Sequence, residues 1–365
     1  MRFKKIWVIY FLIKVFYLLF AILVFSKITT LGDTLDYLNA SLSITPSIIY
    51  NSTDLMNFSG AVFKTIFRID VLACIPLMLL SFYGVYYAID RLNLYRYSVL
   101  LVFLLSLPNF GVWTSIHSKE AVGCFFSGVM SVMLVKTLKG SYKLKFIDYF
   151  AMYLCLIFKP QYLIFILQAL VYLKIVNKVK DKQVVAVVLG LIVVLLNIFV
   201  IYYFRDLIDE LAKGMSVHFN YSDPDAGQST RSEAPWMVPF GFFHAAPYGL
   251  FISFFGPTLN EMLSKPTHLL SGIESVLILG MFIVMVIPRL KYIFFTYRIN
   301  PKVFFTYTII IIGILFVHYP FGFLNPGSAV RYRENFYLLF VIMIIYLKAI
   351  HPRMIHSQVR KLTKA

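Results

Sequence analysis

The sequence predicts an all-α, polytopic helical membrane protein with about ten transmembrane helices and both termini on the cytoplasmic side. Three observations predict it. Of the 365 residues, 60% are hydrophobic, against roughly 45–50% in soluble domains, and the mean hydropathy is +0.79. Apolar runs of about 20 residues recur, the length that crosses ~30 Å of hydrocarbon. Charge is distributed unevenly between the segments that join these runs. The runs are continuous and do not alternate, which excludes a transmembrane barrel.

The elements follow in order. Spans are expected near 6–25, 69–89, 99–117, 120–138, 146–158, 161–176, 184–204, 269–288, 303–320 and 336–350. The first begins Arg2-Phe3-Lys4-Lys5, as a signal peptide does, but its apolar stretch is too long for a cleaved one, so it reads as a retained anchor. Residues 146–176 allow one long helix kinked at Pro160 or two short helices. Only the pair keeps both flanking lysine clusters (139–145 and 174–182) on one side, with Lys159 at the opposite surface. Three outer segments are long: 26–68, 205–268 and 321–335. Within the second, Asn220 to Ser232 reads as a mobile polar loop. The Pro-broken apolar run from Trp236 to Phe255 reads as an interfacial or re-entrant element.

The inner segments, with their flanking lysines, hold about 22 of the 34 Lys and Arg but only Asp90, Asp148 and Asp181 of the acids. The positive-inside rule then fixes the orientation. Basic inner loops also account for most of the net charge of +17, so nucleic acid is not an expected partner. Cys74, Cys124 and Cys155 all lie in apolar segments, which supports neither a disulfide framework nor a CxxC metal site. The histidines lack HxxH or HExxH spacing, and no GxSxG elbow is present.

The conspicuous polar motifs fall on the outer side. Asp33, in Gly32-Asp33-Thr34, is a candidate N-cap and a candidate base for an attacking hydroxyl; the two roles are compatible. The turn Trp113 to Glu120 carries His117, Lys119 and Glu120 between two nearly minimal spans, where charge is costly unless paired or used. Lys159 interrupts thirty apolar residues, and a lysine at that depth faces a cavity or an anion. Lys14 and Glu274 are also intramembrane, as an ion pair or near the cytoplasmic side. Asn325 to Glu334 contains Arg331 and Arg333. In an extended segment these point the same way, and two guanidinium forks could clamp a diphosphate. Arg231 is a further candidate for that task. The sequons at Asn39, Asn51, Asn57 and Asn220 carry no weight.

Ten spans, a Gly-Asp opening of the first outer loop, a Ser-Lys-Glu turn after the third span, a long late outer loop and an Arg-Tyr-Arg motif before the last span form a familiar layout. It resembles the Wzy-type polymerases of bacterial O-antigen and capsule synthesis and, more broadly, the GT-C class of polytopic glycosyltransferases. The resemblance implies an undecaprenyl-linked oligosaccharide as donor and a sugar hydroxyl as acceptor. It also implies a site open to the periplasm, a place in the bacterial inner membrane, and other polysaccharide-assembly membrane proteins as partners. By the same resemblance, Asp33 matches the acidic residue of the first outer loop, and Arg331 and Arg333 match the arginines used toward diphosphate. The Gly-Asp opening departs from the polymerase pattern and points toward transferases that use a lipid-monophosphate sugar.

Such chemistry needs fixed cations where phosphate charge develops: Arg331, Arg333, Lys159 and Lys119, with Arg231. It needs a base: Asp33, then Glu120. Sugar contacts are expected from His117, Trp113, Tyr332 and Glu334, with Trp236 as a further stacking surface. No cofactor is required, though a divalent metal could assist the phosphate. The rival of another class is a carrier for lipid-linked sugar, with Lys14, Lys159 and Glu274 along its path. An acyltransferase using His117 is a third reading.

Overall fold

The computed structural model describes residues 5–140, 142–221, 231–296 and 300–362, with side chains described up to 217 and over 231–288 and 300–347 within those stretches. Among the described residues there is no strand. The helices are α1 (Lys5–Leu23), α2 (Thr34–Asn39), α3 (Ser52–Phe67), α4 (Asp70–Leu92), α5 (Ser98–Leu104), α6 (Pro108–Trp113), α7 (Lys119–Lys139), α8 (Phe146–Phe158), α9 (Pro160–Lys178), α10 (Lys182–Tyr203), α11 (Arg205–Tyr221), α12 (Ala234–Met237), α13 (Gly241–Phe255), α14 (Leu259–Ser264), α15 (Pro266–Thr296), α16 (Pro301–Leu324) and α17 (Pro326–Leu362). The chain is a polytopic helical membrane protein. Among the described residues, seven helices are long and apolar enough to cross a membrane, and they cover seven of the ten expected spans.

The other three expected spans differ. The 99–117 segment is broken into α5 and α6 at Leu105–Leu107, where Pro108, which has no N–H to give to a preceding turn, opens a new helix at its first position. Carbonyls at the two ends of α5 and α6 are bound from neighbouring helices, as a membrane interior requires. Tyr17 Oη donates to Ser106 O and Tyr337 Oη to Leu104 O at the break, and at the end of α6 the buried Lys14 donates to Thr114 O and Oγ1, both at 2.6 Å. Span 146–158 is the short helix α8, and span 336–350 lies inside the longer α17.

At the centre stands α7, buried almost all round. It meets α4 backbone to backbone: a Cβ on Gly128 would lie 2.4 Å from Gly84 O, and one on Gly84 would lie 2.5 Å from Phe125 Cα. Only glycine permits that approach. By contrast α10 is exposed along nearly its whole length, with 11% of its apolar window buried, as expected of a helix bathed in lipid.

The segment 146–176 folds as a pair of helices. Lys159 (φ −149°, ψ 63°) breaks it, and Pro160 opens α9. Both ends of the pair return to the C-terminal end of α7. Tyr142, under the Lys136 ammonium, donates to Asp148 at the start of α8. Asn177 near the end of α9 donates to Thr137 O and Gly140 O. Lys159 therefore sits at the other end of the bundle. The Pro-rich run folds as α13, which ends among α15, α16 and α17. There Phe254 O accepts from Arg333 and Gly256 O accepts from Ser275 Oγ, while the His318 ring meets Ser253 O at 3.0 Å. At its start, the Phe240 and Phe242 N–H groups donate to Asp209. At about 22 Å for 15 residues, α13 is too short to span the bilayer. Residues 222–230 of the expected mobile loop lie outside the described residues.

Candidate active site at one end of the bundle

Four pieces of chain meet where α2 and α7 begin, α8 gives way to α9, and α17 starts. Each start has a local cause. Ser118 Oγ accepts from Ala121 N and donates to Trp113 O, so α7 opens with Lys119 turned outward and Glu120 turned into the bundle. Asn325 Oδ1 accepts from Ser328 N, and Pro326 occupies the first helical position, where its missing N–H costs nothing. The 325–334 stretch, expected to be extended, is therefore helical from Pro326.

That difference separates the two arginines. On a helix, residues two apart point about 200° away from each other. Arg331 faces α2 and α7; its Nε donates to Glu120 Oε1 at 3.0 Å and its Nη2 to Asp33 Oδ2 at 3.3 Å. Arg333 faces the interior and is fully buried. Its five N–H donors make five hydrogen bonds, two to Glu334 Oε1 and one each to Glu274 Oε1, Phe254 O and Ser275 Oγ. The expectation of a two-arginine clamp is corrected accordingly: Arg333 has no donor left for a phosphate. Glu334 is buried beside it, so its expected contact with sugar is corrected too. Glu274 binds Arg333 and Asn109, while Lys14 binds Thr114, so these two do not pair with each other.

Arg231 is also withdrawn. It grips Glu261 with two bonds and donates to Gly322 O and Phe323 O at the end of α16. Trp236 is buried, with its indole N–H on Tyr319 Oη, and offers no stacking face. His117 is fully buried between Tyr37 and Phe63, with Nε2 at 3.1 Å from Met56 O. Burial pushes its pKa down to about 4, although the Met56 carbonyl acts the other way. The ring is neutral and turned away from solvent, which corrects its expected place on a sugar.

The remaining candidates come together. Asp33 occupies the N-cap position of α2, but its side chain caps nothing. It accepts instead from Tyr37 Oη at 2.8 Å and from Arg331, and half of its side chain is exposed. Burial opposes its ionisation. Arg331, the Tyr37 hydroxyl and Lys119 outweigh burial and hold the carboxyl below its ordinary value. The Tyr37 hydroxyl moves the opposite way, raised by burial and by Asp33. Gly32 has φ +57°, and a Cβ there would lie 2.2 Å from Arg331 Nη1; glycine lets the guanidinium close over this turn. Lys119 donates to Thr53 Oγ1 at 2.9 Å. The Arg331 guanidinium covers Trp113 at 5.1 Å. Lys159 places its ammonium 4.3 Å from the centre of the Tyr332 ring, and among the described residues that ammonium makes no hydrogen bond or ion pair.

The site thus gathers Arg331, Lys119 and Lys159 against Asp33 and Glu120, rimmed by Trp113 and Tyr332. It can bind an anion at Lys159 beside Arg331, and it presents a solvent-accessible carboxylate that is ionised at neutral pH. Sequence reasoning missed Tyr37 and Thr53. Tyr37 was readable as the i+4 partner of Asp33 once a helix is placed from 34; Thr53 reaches the site only through packing of α3. Among the described residues no three His, Cys, Asp or Glu side chains gather as a metal site. Compared with known proteins, the chain matches no family model, no curated protein and no solved structure.

Proposed function

We propose that this protein is a membrane glycosyltransferase of the polysaccharide-polymerising kind, acting in a bacterial inner membrane with the described site on the periplasmic face. It transfers a glycan from an undecaprenyl-(di)phosphate donor to a sugar hydroxyl, as in O-antigen or capsule polymerisation. The observation that carries this reading is the Lys159 ammonium, which has no bonding partner among the described residues and lies on the Tyr332 ring beside Arg331, the residue that holds the half-exposed Asp33.

In the reaction, the acceptor oxygen attacks the anomeric carbon and the carbon–oxygen bond to phosphate breaks. The phosphate leaves with the electron pair. Lys159 and Arg331, fixed before the reaction starts, stabilise its developing charge. The acceptor proton passes to Asp33, whose carboxylate Arg331 and Tyr37 hold in place. Glu120 anchors Arg331 from within. Trp113 and Tyr332 offer aromatic faces to the sugars.

A specific observation favours a second reading, a single-sugar transferase with a polyprenyl-monophosphate donor. With Arg333 withdrawn, three cations face two carboxylates, and the one net positive charge matches a phosphodiester better than a diphosphate. A carrier is less favoured, because Lys14 and Glu274, two of the three residues expected along its path, are each bound to partners within the bundle.

The test is deletion of the gene in its host with the surface glycans run on a gel. Loss of the long ladder, with cores bearing one repeat retained, supports the polymerase. A ladder of altered mobility supports the single-sugar transferase. Loss of all repeats, with lipid-linked units accumulating inside, would overturn both in favour of a carrier.

A further inference from the structure

We propose that α11 is an interfacial element whose exposed apolar side chains, Leu207 and Leu211, are immersed in the headgroup–acyl boundary of the bilayer. The inference does not depend on the reaction assigned to the protein.

Continuity with a membrane-spanning helix is the first ground. The 22 residues of α10 rise about 33 Å, which exhausts the ~30 Å hydrocarbon layer. Its lipid-exposed face continues through Tyr202, Tyr203 and Phe204 into α11, with only Phe204 between the two helices. The Arg205 guanidinium lies 4.4 Å from the Tyr202 ring and 5.9 Å from that of Phe240. Aromatic and arginine side chains of this kind collect at the membrane–water boundary.

The angular order of residues around α11 is the second ground. Ile208, Ala212 and Met215 pack against the Trp236–Tyr319–Phe323 cluster. Leu207 and Leu211 share the next sector and are 50% and 63% exposed. Asp206 and Glu210 follow them, both exposed. A helix facing only protein and water needs two sectors. Three sectors in the order bundle, apolar and acidic fit a helix lying flat, with protein on one side, lipid beneath and water above.

Asp209, two residues from both Leu207 and Leu211, points to the opposite flank of α11, where it takes Lys213 at 2.8 Å and the N–H groups of Phe240 and Phe242. That flank, which holds the turn Met237–Phe240, fixes the rotation of α11 and leaves the Leu207–Leu211 sector as its lipid side.

The test is site-directed spin labelling of the full chain in liposomes of mixed zwitterionic and anionic lipid. Nitroxides replace Leu211 and, in separate variants, Leu207 and Glu210; the three native cysteines are buried, and unsubstituted protein reports background labelling. Collision with oxygen and with a water-soluble nickel chelate is read. The proposal expects a several-fold higher oxygen-to-nickel ratio at 207 and 211 than at 210. Equal ratios would overturn it in favour of a water-exposed helix. Shielding from both reagents would overturn it in favour of a protein partner or a second copy. Leu207 and Leu211 lie outside the packed sector, so either label serves if the other disturbs the fold.

Discussion

Replacing Arg333 with Ala separates a structural cap from a phosphate ligand. Arg333→Ala leaves the carboxylates of Glu274 and Glu334 in the interior without their shared cation, and leaves Phe254 O without a donor. Breaking a buried ion pair by removing one partner costs about 3–5 kcal/mol. At 1.4 kcal/mol per tenfold, that lowers the folded-to-unfolded ratio by roughly two to three and a half orders of magnitude, out of a typical total of about 5–15 kcal/mol. The variant should accumulate poorly in membranes and, in detergent, unfold well below the wild type in a fluorescence-monitored melt. Neutralising the network with Arg333→Met, Glu274→Gln and Glu334→Gln together should recover much of the loss, because the penalty lies in the stranded charges. Wild-type yield and melting temperature in Arg333→Ala, with transfer abolished, would refute this reasoning and return Arg333 to the site.

The other predictions concern the turn around Asp33 and its neighbours. Gly32→Ala adds a Cβ where Arg331 Nη1 lies and strains a positive φ; we expect near-normal protein level and a strong loss of transfer, measured on membrane vesicles with lipid-linked donor. Asp33→Asn should slow transfer at least ~10-fold if the carboxylate is the base; a wild-type rate would reduce it to a tether for Arg331. Asp33 is held below its ordinary value, so its contribution to stability is present above that value and is lost as pH falls below it. Tyr37→Phe removes one hydrogen bond to the ionised form and should move the acid limb of the pH–rate profile upward. His117, pushed down to about 4, is neutral when folded but protonates near 6.5 when unfolded. Stability is therefore full above 6.5 and declines as pH falls toward 4; His117→Gln should flatten that decline in melts at pH 7 and pH 5.

The long helices were legible because a continuous apolar run of membrane length has no other stable use. The lysine clusters at 139–145 and 174–182 were enough to decide that 146–176 is a pair of helices. The break in 99–117 was less visible, since a Pro at 108 is tolerated in many membrane helices, and the donors that bind the carbonyls at this break, Tyr17 of α1 and Tyr337 of α17, come from distant parts of the chain. The site was partly legible for a simple reason. Asp33, Lys119, Glu120, Lys159 and Arg331 all stand at or near helix ends, and these ends had to fall at one level of the bundle. The angle at which Arg333 leaves α17 was not legible through periodicity, because from Arg333 to Tyr346 that helix is buried on every side. Asn325 followed by Pro326 is nonetheless a helix-start signature, and weighing it would have turned Arg333 away from Arg331.

Four cations, among them the two expected as phosphate ligands, Arg333 and Arg231, share one physical setting. Lys14 binds Thr114 O at the end of α6, and Arg333 binds Phe254 O at the end of α13. Arg231 binds Gly322 O and Phe323 O at the end of α16, and Lys302 binds Leu138 O at the end of α7. Each meets the carbonyl end of a helix, where the last carbonyls lack partners and the helix dipole is negative. In a membrane those carbonyls cannot turn to water, so a buried cation is drawn to them as strongly as to an anionic substrate. A sequence shows the cation and not its partner. The distinction lies in what remains unbound: Arg333 and Arg231 are engaged by carbonyls and carboxylates, whereas the ammonium of Lys159, at a helix break of its own, has no hydrogen bond or ion pair among the described residues. That difference makes Lys159, and not the second arginine, the residue whose substitution should weaken donor binding while leaving the fold intact.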